Sequence, residues 1–263
     1  MKRSMVFILF FISAPVLLAA RVIQQLYMID PLTGFYRDGF AGIGTAITVM
    51  CFALIAVTVA MVWLSHPKMP TVPKKHAGLG IAACIAAMTL IISSIDGIMS
   101  MSAANKTIGF LGVAAAVAIA YYGVTLFSGR KYPAFLTVLP ILYACVKLVL
   151  DYINYTGEVI VTDAIFNIVT MCLVVLFFYT FGKLAANVGG KRTHILFYSF
   201  GLCAAFFCAD SAFVRIILSL TRSNAALHGS GRLDVEFVGL AVYIVAAVWV
   251  LSAQTKPSPE TAE

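Results

Sequence analysis

The chain has 263 residues, of which 62% are hydrophobic and only 11% are charged. A soluble globular domain has about 45–50% apolar and about 25% charged residues. So few charges cannot cover the surface of a water-soluble fold of this size, and the excess apolar surface must face lipid. In a protein that faces lipid, the distribution of charge between the loops is more informative than the formal net charge of +7. The positive charge is therefore not taken to indicate binding of nucleic acid.

Eight stretches of the sequence are long and apolar enough to cross a bilayer, which requires about 20 mostly apolar residues for about 30 Å of hydrocarbon. They run over 4–28, 40–64, 78–101, 108–128, 133–153, 162–186, 194–218 and 235–253. Such long runs without period-2 alternation indicate helices. The sequence predicts an all-α integral membrane protein, a bundle of about eight transmembrane helices with short loops. This single bundle covers 1–253, followed by a disordered tail over 254–263, and the lipid bilayer is its predicted partner.

Lysine and arginine are distributed unequally between the two sets of loops. One set, with the terminal segments, holds eleven of them: Lys2, Arg3, Lys68, Lys74, Lys75, Arg130, Lys131, Lys183, Lys191, Arg192 and Lys256. The other set holds Arg37, Lys106, Arg222 and Arg232. Because cytoplasmic loops carry the excess of basic residues, both termini are predicted to be cytoplasmic.

The first helix has two interpretations. The basic start followed by an apolar run is similar to a signal peptide, whose removal would leave seven helices. However, the apolar character resumes after Arg21, through Leu26 and Ile29. We therefore favour a retained first helix.

Six charged residues lie inside the odd-numbered predicted spans: Arg21, Asp96, Lys147, Asp151, Asp210 and Arg215. At about 1.5 Å per residue they lie roughly 21–32 Å from the cytoplasmic start of each helix, in the outer third of the bilayer. Ionisable residues at such depths are rare and costly, and they mark a candidate functional site.

Two interpretations of these six residues compete. In the structural one, Arg21 and Arg215 extend to the outer headgroups while Lys147 and Asp151 neutralise each other, or the charges form a network that fixes helix register. In the functional one, the charges line an outward-opening pocket of balanced charge. The basic residues would then meet an anionic group, and the aspartates a cation or protons.

No catalytic or cofactor motif is present in the sequence. It contains no HExxH, GxSxG or Walker motif, and its six cysteines lie in apolar runs without a CxxC pair. No metal or cofactor is predicted, and a non-catalytic protein is favoured. The leading hypothesis is a protein that binds or moves a small polar solute or ion through the outer charged cluster. The alternative is a membrane sensor or assembly protein that contacts a protein partner through its basic cytoplasmic loops.

The most distinctive motif follows the first helix. It reads Arg21-x-x-Gln24, then Ile29-Asp30-Pro31-x-Thr33-Gly34-Phe35. In this stretch the chain resembles a group of uncharacterised multi-pass membrane proteins of Gram-positive bacteria, which have an arginine late in the first helix and an Asp-Pro-x-Thr-Gly-like turn. The resemblance implies a bacterial plasma membrane, and it implies no activity, substrate or site residue.

Overall fold

The computed structural model describes residues 3–30, 35–65, 67, 70, 72–155, 161–188, 190, 192–221 and 235–253. Within these ranges there are eight helices long and apolar enough to span a membrane and no strand, and an isolated antiparallel bridge links Ile29 and Tyr36. The helices are α1 (Arg3–Ile23), α2 (Ala41–Ser65), α3 (Ala77–Met99), α4 (Ala103–Ser128), α5 (Val138–Tyr155), α6 (Val161–Ala185), α7 (Thr193–Thr221) and α8 (Val235–Ala253). The prediction of eight apolar helices is confirmed, and the predicted tail lies outside the described residues.

Some helices extend beyond the predicted apolar spans into polar residues. α4 begins at Ala103 rather than 108, and α7 continues to Thr221 rather than 218. Hydropathy marks the part of a helix suited to lipid, whereas the backbone hydrogen bonds continue through polar residues such as Lys106. α1 ends differently, because a π-helical turn over Gln24–Met28 replaces its last predicted turn.

Six of the helices form a closed ring. Each helix from α3 to α7 packs against the next one in the chain, and α8 packs against α3. In this order α5 and α8 stand on opposite sides of the ring. α1 and α2 pack against each other and, outside the ring, against α7. α7 therefore joins the α1–α2 hairpin to the rest of the protein.

Helices that follow one another in the chain run in opposite directions, whereas α1 and α7, which also pack together, run in the same direction. The Tyr198 hydroxyl near the start of α7 donates to the carbonyl of Leu251 near the end of α8, at 3.2 Å. Similarly, the amide of His76 before α3 donates to the carbonyl of Leu126 near the end of α4, at 3.2 Å. We call the end where α1 begins and α8 ends the termini end, and the opposite one the distal end.

An aromatic layer fills the ring from its middle towards the termini end. Its members come from α4, α6, α7 and α8: Tyr122, Phe177, Phe181, Phe197 and Tyr243. All are at most 2% exposed. Tyr122 of α4 packs edge-on against Phe181 of α6 (5.2 Å between centroids) and Tyr243 of α8 (6.4 Å). Since neither α6 nor α8 is next to α4 in the ring, these contacts cross the interior and close it.

Replacing tyrosine by phenylalanine is expected to change the free energy of unfolding in opposite directions at two positions of the bundle. The Tyr122 hydroxyl is buried and has no hydrogen-bond partner among the described residues, whereas the Tyr198 hydroxyl donates to Leu251. We expect Tyr122→Phe to raise the free energy of unfolding by about 1 kcal/mol, and Tyr198→Phe to lower it by a similar amount. Thermal unfolding of the purified variants in detergent measures both. Destabilisation by Tyr122→Phe would show that its hydroxyl has a partner.

Candidate functional site

The first group of buried polar residues surrounds Arg21, near the distal end of α1. The guanidinium Nε of Arg21 lies 3.4 Å from Asp210 Oδ2 of α7, and both side chains are only 2% exposed. Arg21 Nη1 also donates to Gln24 Oε1 at 2.6 Å. The Arg21 guanidinium carbon lies 3.8 Å from the centroid of Phe166 on α6. The charge of Arg21 is thus held by a carboxylate, an amide and an aromatic face, away from solvent.

Gln24 connects Arg21 to α2 and to the first distal loop. Its Nε2 lies 2.7 Å from the Gly44 carbonyl, 2.8 Å from the Tyr36 hydroxyl and 3.1 Å from Thr48 Oγ1. Gln24 begins the π-helical turn, and both it and Gln25 are buried. π-helical turns widen a helix locally and are often found at functional sites. We call Arg21, Gln24, Tyr36, Thr48 and Asp210 the Arg21 network.

The second group lies inside the ring at its distal end. Lys147 Nζ of α5 pairs with Glu236 Oε1 in the first turn of α8, so that the ion pair joins opposite sides of the ring. Ser93 of α3 donates to the other oxygen of Glu236. Lys147 Nζ also lies 5.2 Å from the centroid of the Phe237 ring. We call Lys147, Glu236 and Ser93 the Lys147 site.

The two groups differ in their access to solvent. The Lys147 side chain is 13% exposed and Glu236 is 1% exposed, whereas both charged members of the Arg21 network are sealed. Lys147 is therefore the most exposed of the four charged residues in the two groups. Within the described residues no group of three or more histidine, cysteine or acidic side chains converges as for a metal ion.

The six residues predicted to form the charged cluster differ in burial and in the partners that they contact. Arg21 and Asp210 contact each other, while Lys147 lies in the other group. Asp151 and Arg215 are half-buried and have interaction partners. Asp96 is exposed on α3. Three of the six residues thus belong to the two groups, and the use of all six as a ligand-binding cluster stays a prediction.

Glu236 is a central residue that the sequence analysis missed. It is the second residue of α8, whereas all six predicted site residues lie on odd-numbered helices. A residue at a helix end is normally close to water, but here neighbouring helices reduce the exposure of Glu236 to 1%. A signal was available, because Glu236 lies inside the predicted span 235–253, seven residues before Tyr243 and therefore on the same helix face.

The contribution of the Arg21 network to stability is tested by comparing a substitution of buried Asp210 with the same substitution of exposed Asp96. Asp210→Asn leaves Arg21 buried without its counter-charge, and we expect the free energy of unfolding to fall by about 3–5 kcal/mol. Asp96→Asn removes the same charge at an exposed position and should change it by no more than about 0.5 kcal/mol. The double variant Arg21→Gln/Asp210→Asn should be more stable than Asp210→Asn alone. Thermal unfolding in detergent tests all three; equal effects at Asp210 and Asp96 would contradict the burial of the ion pair.

Gly44 supplies a second test, at the α2 side of the network. A Cβ atom at Gly44 would overlap the Tyr36 ring, whereas one at Gly42, half a turn away, would meet nothing within 4 Å. Gly44→Ala should therefore displace Tyr36 and destabilise the protein by about 1–3 kcal/mol. Gly42→Ala should be neutral or stabilising by up to about 1 kcal/mol. Comparison of their melting temperatures measures the effect, and equal values would mean that Tyr36 does not pack on α2.

The chain was compared with protein-family models, with curated proteins and with solved structures, and no match was found. No activity or ligand is therefore transferred to it from a relative. The two buried ion pairs are the features of its own structure that bear on function.

Proposed function

We propose that this multi-pass membrane protein binds a small zwitterionic solute at the Lys147 site, from the distal end of the helix ring. The observation that carries the proposal is the ion pair between Lys147 and Glu236, which crosses the ring interior and leaves the Lys147 side chain partly exposed. Lys147 would bind an anionic group of the solute. Glu236, with Ser93 beside it, would bind a cationic group.

Charge balance favours a zwitterion over a simple ion. A singly charged anion that displaces Glu236 from Lys147 leaves a buried carboxylate without a partner, which is strongly unfavourable. A singly charged cation has the same effect on Lys147. A solute with one charge of each sign replaces both partners at once, so neither buried charge is left unpaired.

The Arg21 network has a different role in this proposal. Its ion pair is 2% exposed on both sides, and its hydrogen bonds tie α1 and the first distal loop to α2 and α7. We assign it the task of holding the α1–α2 hairpin against the ring. A solute that moved on from the Lys147 site would next meet the aromatic layer, so transport requires that layer to open.

The proposed binding is tested with defined probes on the purified full chain. Glycine, β-alanine and γ-aminobutyrate present opposite charges at increasing separation, while acetate and methylammonium present one charge each. We expect at least one zwitterion to raise the melting temperature, because a ligand at 100 times its Kd stabilises the folded state by about 2.7 kcal/mol. Neither single-charge ion should do so at the same concentration.

The matched variants separate the site from general charge effects. Lys147→Gln/Glu236→Gln removes both charges together, leaves no unpaired ion and should abolish the zwitterion effect. Lys106→Gln removes an exposed lysine at the start of α4 and should preserve it. A shift that survives in the double variant, or no shift with any of the three zwitterions, would refute the proposal.

A second candidate function is supported by the exposed basic residues at the termini end. In this alternative the protein is a sensor or assembly factor whose loops contact a protein partner. In that case substitution of exposed Lys74 or Lys75 would weaken binding of the protein partner, whereas substitution of Lys147 would not. For both candidates the proposed location is a bacterial plasma membrane with the termini end on the cytoplasmic side.

A further inference from the structure

Four exposed cations come together at the termini end of the ring. Lys74 and Lys75 precede α3, and Arg130 and Lys131 follow α4. The two connections are held side by side by the hydrogen bond from the His76 amide to the Leu126 carbonyl. We call Lys74, Lys75, Arg130 and Lys131 the basic cluster.

Gly129 allows the two halves of the cluster to approach closely. It ends α4 with a left-handed backbone conformation, φ +75°. The Lys75 side chain lies over it, so a Cβ atom at this position would be 2.5 Å from Lys75 Cε. Lys75 is thereby packed beside the chain that continues to Arg130, and Lys74 and Lys131 are the adjacent residues of the same two connections.

The basic cluster has no acidic counterpart in the part of the chain that the structure describes. The described acidic residues belong to the distal half: Asp30, Asp38, Asp96, Asp151, Asp163, Asp210 and Glu236. Four like charges in one place repel one another and attract an anion from outside the bundle. Arginine adds a planar fork of donors that matches the oxygens of a phosphate group.

The surface next to the cluster indicates where that phosphate comes from. The last turns of α4, directly before Arg130, present Tyr121, Val124 and Phe127, which are 42–54% exposed. Phe135, shortly after Lys131, is 72% exposed. Large apolar side chains beside a group of cations fit a molecule with acyl chains below a charged headgroup.

We propose that the basic cluster is a binding site for the phosphate headgroup of an anionic phospholipid, with its acyl chains along the exposed face of α4. The site is at the opposite end of the ring from the Lys147 site and does not depend on solute binding there. Its role would be to fix α3 and α4, whose connections carry the cluster, at the surface of an anionic leaflet.

Phosphatidylglycerol is the probe for this proposal. The purified full chain is titrated with it in mixed micelles or nanodiscs, against phosphatidylcholine, and lipid binding is measured by native mass spectrometry and melting temperature. We expect Lys75→Gln/Arg130→Gln to weaken binding by about twenty- to thirtyfold, because each basic residue near an anionic surface contributes about fivefold. All four residues are exposed, so folding should be unaffected.

The control removes two exposed basic residues from the other end of the bundle. Arg37→Gln/Lys106→Gln makes the same change in net charge and should preserve binding of phosphatidylglycerol. Equal binding of phosphatidylcholine, or an equal loss in the control, would overturn the proposal. Displacement of phosphatidylglycerol by inorganic phosphate at the same concentration would also overturn it, because the site would then bind the free anion. The expected lipid binding does not depend on whether a zwitterion binds at Lys147, so the two proposals can fail separately.

Discussion

The pairing of Arg21 with Asp210 is the interaction on which the position of the first two helices depends. Removing a guanidinium and a carboxylate from water has a cost of several kcal/mol for each ion, which their attraction offsets only with good geometry and further hydrogen bonds. Gln24 and Phe166 supply these additional contacts. In a bilayer the hydrophobic effect does little to fix one helix against another, because lipid tails are as apolar as the helices. A buried ion pair adds a directed constraint to the packing, since any shift of α1 along α7 separates the charges.

The same constraint acts differently inside the ring. Lys147 and Glu236 approach from helices that are not neighbours, so their pairing joins the two sides of the ring at its distal end. The termini half is closed by aromatic contacts instead. Aromatic packing is not directed by charge and leaves no group for a polar solute to replace. The ion pair offers two such groups, and this difference places the proposed binding site at one end of the ring only.

The two ends of the bundle also differ in their charge. At the distal end the described acidic residues accompany basic ones, in part as buried pairs, whereas at the termini end exposed lysine and arginine stand without described acidic residues. Paired charges within a bundle fix the positions of helices. Exposed, unbalanced charge acts outward on lipid headgroups or other partners, which is why the proposed lipid site and the proposed solute site lie apart.

The sequence by itself determined the all-helical class and the number of apolar helices, because both follow from hydropathy and residue counts along one segment. It also identified Arg21, Lys147 and Asp210 as residues needing partners. It did not determine which partners they have. In a membrane protein the residues that face lipid and those that face other helices are equally apolar: Phe207 is fully buried while Phe110 is 64% exposed, and nothing in their type distinguishes them. Helix neighbours, the closure of α8 onto α3 and the burial of Glu236 therefore follow from how all the helix surfaces fit together. Only the tertiary structure decided them.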